Sequence, residues 1–282
     1  MLADLMPIAE EWRPQLLVCD QAELAGPLVA ARLGVPNLTH AFGRLLPAVR
    51  VARAGEAMAD IWRAHGLEPR PFAGTYDHLY LDIYPPGLQA PDTAHLGELQ
   101  LIRPADPIER DAAAEPLVYI TFGTVVNHDL ALFATALEAA RELDVRVVVT
   151  LGPGHDPDAL GPQPPNVTVA EFIPQAQLLP ACAAVVSHAG SGTFLAALAA
   201  GVPQLLLPQA ADQFLNAEAA TRGGVAVAIA PGEVSVAHVR GALERVLGDT
   251  RFLIAAQRAQ AEISAMPAPN AVVEELERRY AT

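Results

Sequence analysis

Along this 282-residue chain, short continuous apolar runs are followed by stretches of helical period. In the first hundred residues, strands are expected at Gln15–Asp20, Asn37–Ala41, Leu79–Tyr84 and Glu98–Arg103, with helices at Ala22–Leu33 and Leu46–His65. Gly34 and Pro36 stop the first of these helices. Farther on, strands are expected at Leu117–Phe122, Val145–Leu151, Asn166–Phe172, Ala183–Ser187, Gln204–Pro208 and Val225–Ile229, mostly separated by helical segments. The β-branched runs are continuous rather than alternating, which implies strands buried on both faces. Strands and helices that alternate in this way form a parallel, doubly wound sheet. The proline- and charge-bearing stretch RPADPIERDAAAEP divides the pattern in two.

Composition narrows the function classes. Half of the chain is apolar, 52%, which is ample for one large core or two modest ones. The formal net charge is −14, so a general nucleic-acid surface, which needs a basic stripe, is not expected. A small anionic ligand stays open, because local backbone dipoles can outweigh global charge. All 18 basic residues are arginine. Cys19 and Cys182 each sit in apolar surroundings and read as free thiols in a reducing compartment. The segment 1–11 lacks a basic region, and no apolar run reaches the ~20 residues of a membrane span, so a cytoplasmic protein is expected.

Chemistry concentrates in AAVVSHAGSGTFLAALAAGVPQLLLPQAADQFLNA. A buried strand runs into His188-Ala-Gly-Ser-Gly-Thr193 and then into an Ala/Leu-rich helix. Glycines at 190 and 192 let backbone approach a ligand. The helix N-terminus offers unpaired N–H groups and the positive end of its dipole, a geometry that suits a diphosphate. Thr193 and His188 can add side-chain donors. Asp212-Gln213 follows the next strand at its carboxyl end, where such sheets bind ligands, and offers acceptors and donors for sugar hydroxyls. Any one of these features is common in βα turns and solvated loops; their order and spacing together are not.

That combination resembles the donor-binding signature of family-one glycosyltransferases: His-x-Gly-x-Gly-Thr, then Gly201-Val202-Pro203, a strand, Pro208-Gln209 and Asp212-Gln213, opened by Phe172-Ile173-Pro174-Gln175. The segments 79–89 (LYLDIYPPGLQ) and 117–124 are similar to bacterial natural-product members. The resemblance implies an α/β, GT-B-type architecture of two Rossmann-like domains with parallel sheets, the first one incomplete. It implies metal-independent, inverting transfer of a sugar from a UDP- or dTDP-sugar to a small hydroxylated acceptor, with no cofactor. By the same resemblance Phe172 stacks on the base, the Ile173 backbone meets the base edge and Gln175 contacts the ribose. Thr124 reaches a phosphate; His188, Gly190, Ser191, Gly192 and Thr193 hold the diphosphate; Asp212 and Gln213 read the sugar. Two positions depart from the family pattern: Phe172 replaces the usual tryptophan, and Ala196 stands where many members carry a ribose-binding glutamate.

Asp156-Pro157-Asp158 spells a D-x-D motif, but in a proline-glycine loop, and no metal is expected there. Asp20 ends the first strand and can cap the next helix with Glu23 in a capping box; the resemblance also makes it the aspartate that orients a catalytic histidine. By the same resemblance that histidine is expected from a glycine-bearing loop ahead of residue 1, and His40, His65, His78 and His95 are not obvious substitutes. The expected organisation is a partial acceptor domain at 1–105, a linker at 106–116, a donor domain at 117–265 and a C-terminal helix at 266–282 that can return to the first domain. A non-catalytic nucleotide-sugar-binding protein is the alternative, as is a half-enzyme completed by a partner chain; a homo-oligomer is a further expectation.

Overall fold

A computed structural model describes residues 1–111, 115–123 and 130–280. Two compact units emerge, one of residues 1–84, 89–103 and 266–282, the other of residues 85–88 and 104–265.

The first unit contains a parallel sheet of β1 (Leu17–Asp20), β2 (Asn37–His40), β3 (Leu79–Asp82) and β4 (Glu98–Leu101), in that spatial order. Helices α1 (Leu2–Trp12), α2 (Ala25–Leu33) and α3 (Ala48–Ala64) belong to the same unit. Leu38, Leu79, Leu81 and Ile102 form an apolar cluster with Val272 of α10 (Pro269–Tyr280), so the C-terminal helix covers part of this sheet. Among the described residues β1 pairs only with β2 and forms an edge, where Val18 is 52% exposed. The helix α1 was not legible as an element. Its apolar residues Leu2, Leu5, Met6 and Ala9 follow helical spacing, and Arg13 in the left-handed region ends it.

Asp20 does not cap α2: its Oδ1 accepts from the Ala22 amide at 2.7 Å and closes a short turn. The helix begins three residues later than expected, at Ala25. Its first amides are met by Glu23, whose two oxygens accept from Ala25 and Gly26, each at 2.7 Å. Glu23 therefore holds the helix start, and Asp20 remains exposed at the carboxyl end of its strand.

The second unit carries six parallel strands in the order β10-β9-β8-β5-β6-β7. They are β5 (Leu117–Thr121), β6 (Arg146–Thr150), β7 (Val167–Ala170), β8 (Cys182–Ser187), β9 (Gln204–Leu206) and β10 (Ala226–Ala228). Order reverses around β5 and β8, which pair in register from Val118↔Ala184 to Thr121↔Ser187. Such a switch point leaves a crevice outside the carboxyl ends of the strands. α4 (Leu130–Ala140) and α8 (Val236–Gly248) belong to one core cluster with Phe133, Val149, Val186 and Leu243 fully or nearly fully buried. The continuous apolar runs are thus explained by burial on both faces. The stretch after residue 105 lies along this unit: Arg110 donates to the Cys182 carbonyl at 2.8 Å, and Gln260 to that of Ile108 at 2.9 Å. Among the described residues, no helix is long and apolar enough to cross a membrane.

Candidate functional site

The carboxyl end of β8 delivers His188, Ala189 and Gly190 into the turn before α6 (Ser191–Ala199). Gly190 occupies the N-cap and offers no side-chain acceptor, so the first amides of α6 have no side-chain cap. The first backbone bond of the helix runs from Phe194 N to the Gly190 carbonyl at 3.0 Å. The N–H groups ahead of it and the positive end of the helix dipole lie at the carboxyl end of β8, next to the point where the strand order reverses.

Glycine is required here for a steric reason. The His188 ring lies close to two of them. A Cβ on Gly190 would stand 2.4 Å from His188 Nε2, and one on Gly123, at φ +81°, 2.8 Å from Cε1. Gly192 is different, because a Cβ there meets nothing within 4 Å. The ring is therefore clamped by the turn after β5 and by the turn after β8. Its Nδ1 is buried with no hydrogen-bond partner among the described residues. Burial pushes the imidazole pKa below its ordinary value, and the nearby Asp212 carboxylate acts in the opposite direction.

A second cluster joins α6 to α7 (Gln213–Arg222). Ser191 donates from Oγ to Asp212 Oδ2 at 2.7 Å. Asn216, fully buried on α7, donates to the Ala189 carbonyl at 2.9 Å and to Ser191 Oγ at 3.0 Å, with Asp212 Oδ2 at 3.3 Å. Gln213 is also buried; its Oε1 accepts from the Gln209 amide at 2.7 Å and from the Ala210 amide at 2.9 Å. The Gln213 carbonyl oxygen thus shapes its own loop, leaving the amide NH₂ as its donor group.

Phe172, Ile173 and Gln175 follow the carboxyl end of β7. Phe172, just beyond β7, is 64% exposed, the state a stacking platform needs. Ile173 packs partly against the cluster around Leu179 and Val185. Gln175 opens the short helix α5 (Gln175–Leu178) and donates to Thr193 Oγ1 at 2.9 Å, leaving the Thr193 proton available for another acceptor. Thr124 lies outside the described residues. Asp156 accepts from the Asp158 amide at 2.9 Å, which ties the D-x-D loop into a turn. Asp20 belongs to the other unit, where it pairs in register with His40 of β2. Asn216 and Gly123 did not emerge from the sequence as site residues. The i,i+4 spacing of Asp212 and Asn216 is the signal that places both on one helix face.

The pH dependence follows from His188. Its folded pKa lies below the unfolded value, so the neutral ring is the form the fold accommodates, and acidification from the ordinary histidine range downward costs stability. An anion in the cradle favours the imidazolium and raises that pKa. Binding then takes up protons, and affinity should rise as pH falls between the bound and free pKa values. Calorimetry near pH 6.5 in two buffers of different ionisation enthalpy would measure proton uptake, and His188→Gln should abolish the part not owed to the nucleotide itself.

Comparison with known proteins gives one family. The family described as "Erythromycin biosynthesis protein CIII-like, C-terminal domain" matches residues 134–278. An L-demethylnoviosyl transferase of Streptomyces niveus is 31% identical over 285 residues, covering 98% of this chain and 74% of that protein. The elloramycin glycosyltransferase ElmGT of Streptomyces olivaceus is 32% identical over 286 residues, 96% of this chain and 70% of the relative. Among solved structures, the spinosyn rhamnosyltransferase SpnG complexed with thymidine diphosphate superposes with a TM-score of 0.84 at 32% identity, over 98% of this chain and 76% of that one.

Proposed function

The chain belongs to the bacterial natural-product branch of the family-one glycosyltransferases of GT-B architecture, and we propose that residues 172–216 form its donor site for a dTDP- or UDP-sugar. The observation that carries this reading is the clamped His188 beside the uncapped start of α6, facing a switch-point crevice. Fixed N–H donors and a ring that can take a proton complement a diphosphate, both as a bound ground state and as a departing group. An inverting displacement places negative charge on that leaving diphosphate, so donors already aimed at it require no reorganisation during the reaction. The nucleoside would extend towards exposed Phe172, and the sugar towards Asp212 Oδ1 and the Gln213 amide. Similarity to a structure holding thymidine diphosphate favours dTDP over UDP as the carrier.

The acceptor would be a small hydroxylated molecule, deprotonated as it attacks the anomeric carbon. Asp20 is the residue on this chain proposed to orient the base. A second reading rests on its environment. Asp20 Oδ1 accepts from the Ala22 amide, and the residue is exposed at the carboxyl end of β1. A chain that binds donor but depends on another segment for its base fits that arrangement.

Calorimetry with thymidine and uridine diphosphates in EDTA tests the donor site. Binding of both without metal, the thymidine form more tightly, is expected. Strictly metal-dependent binding would remove the proposed role of the α6 turn and return attention to Asp156 and Asp158. Acceptor glycosylation assayed alongside separates turnover from donor binding alone.

A further inference from the structure

The buried amide of Asn216 is placed where the two halves of the proposed site meet. It belongs to α7, yet its bonds reach back to the turn before α6. Ala189 sits in that turn at φ 67°, a left-handed conformation that a side chain disfavours. Its carbonyl accepts from Asn216 at 2.9 Å, so the amide holds the residue in a conformation that alanine would otherwise leave. The flanking residues are His188, which the two glycines clamp, and Gly190, which starts the helix.

The second Asn216 proton is directed at Ser191 Oγ and, more distantly, at Asp212 Oδ2. Ser191 gives its own proton to Asp212 Oδ2, so its oxygen is free to accept from Asn216. One oxygen of the Asp212 carboxylate is thereby fixed in place, and Oδ1 is the atom left to face a ligand. A network anchored on a buried amide of this kind locks its members because leaving that amide unmatched is costly.

We propose that Asn216 is the positioning residue that couples the diphosphate turn to the sugar-facing carboxylate, holding Ala189 with one proton and the Ser191–Asp212 pair with the other. The inference rests on the donor-site reading above. It assigns Asn216 no contact with ligand. Its loss should therefore act through two separable routes: relaxation of the Ala189 turn, felt by any nucleoside diphosphate, and loosening of Asp212, felt only by a ligand that carries a sugar.

A rescue experiment separates these routes from a general packing role. Asn216→Ala should raise the Kd of thymidine diphosphate about tenfold, and that of dTDP-glucose by more. Ala189→Gly in the same background removes the penalty on the left-handed conformation. It should bring thymidine diphosphate back to within about threefold of the wild-type chain while leaving the additional loss for dTDP-glucose. Asn216→Thr keeps a hydroxyl donor and most of the volume; if the alanine variant does not fold, the same pattern at smaller amplitude is expected from it. Kd values within twofold of wild type in a folded variant with a lowered melting temperature would overturn the proposal, as would equal rescue of both ligands or rescue of neither. Failure of the wild-type chain to bind thymidine diphosphate would instead overturn the donor-site reading, and the coupling with it.

Discussion

Gly190→Ala should weaken nucleoside diphosphate binding by about 30- to 100-fold. The added methyl would stand 2.4 Å from His188 Nε2, closer than real contacts come, and the ring also lies close to Gly123. Either the imidazole rotates out of the cradle or the turn opens. Loss of a charge-assisted donor is worth about 1.5–3 kcal/mol, and overpacking adds about 1–3 kcal/mol of strain to the folded chain. The second effect should appear as a lower melting temperature. Gly192→Ala is the matched control, because its methyl meets open space in the folded chain. That variant should melt with the wild type. Any loss of affinity it shows would then report a ligand lying over the helix start rather than damage to the fold. Calorimetry with thymidine diphosphate, paired with thermal melts, checks both; equal melting temperatures and equal affinities for the two variants would show that His188 is not held as described.

Asp212→Asn should separate the sugar from the nucleotide. The substitution keeps the shape and an acceptor for Ser191, but removes the charge that would accept from sugar hydroxyls. The Kd of a dTDP-sugar should rise about tenfold or more, as expected for a lost hydrogen bond to a charged group, while that of thymidine diphosphate stays within about threefold. Asp212→Ala should be less selective. It also leaves Ser191 Oγ without its acceptor and Asn216 with one partner fewer, so the diphosphate turn is disturbed too. Competition calorimetry with donor and bare nucleotide measures the difference. Equal losses for both ligands in the asparagine variant would assign Asp212 to the turn alone.

Much of this architecture was legible because burial on both faces leaves a plain mark. Runs such as Val145–Leu151 and Ala183–Ser187 admit few readings other than central parallel strands, and each of the ten expected strands has its counterpart, usually shorter at the ends. His188, Gly190 and Thr193 were legible as neighbours for a similar reason, since a single βα turn holds them, whereas Asp212 follows the next strand, β9. Contacts made across the sequence were not legible. That Gly123 and Gly190 clamp one ring depends on β5 and β8 being neighbours, and nothing in their separation along the chain says so. Asn216 looks like any polar helical residue until its burial and its three acceptors are seen together. Asp20 and Glu23 show the limit at short range. Both suited a capping box, but two amides at the start of α2 fall within reach of the Glu23 carboxylate, and the helix starts where those bonds form.

The most direct test is an experimental structure of the chain with thymidine diphosphate bound in EDTA. Phosphate oxygens should lie within about 2.7–3.2 Å of the first amides of α6 and within reach of a His188 ring nitrogen, with the base stacked on Phe172 and no cation between protein and phosphate. A diphosphate ordered elsewhere, or one held only through a metal at Asp156 and Asp158, would contradict the assignment of residues 172–216 as the donor site.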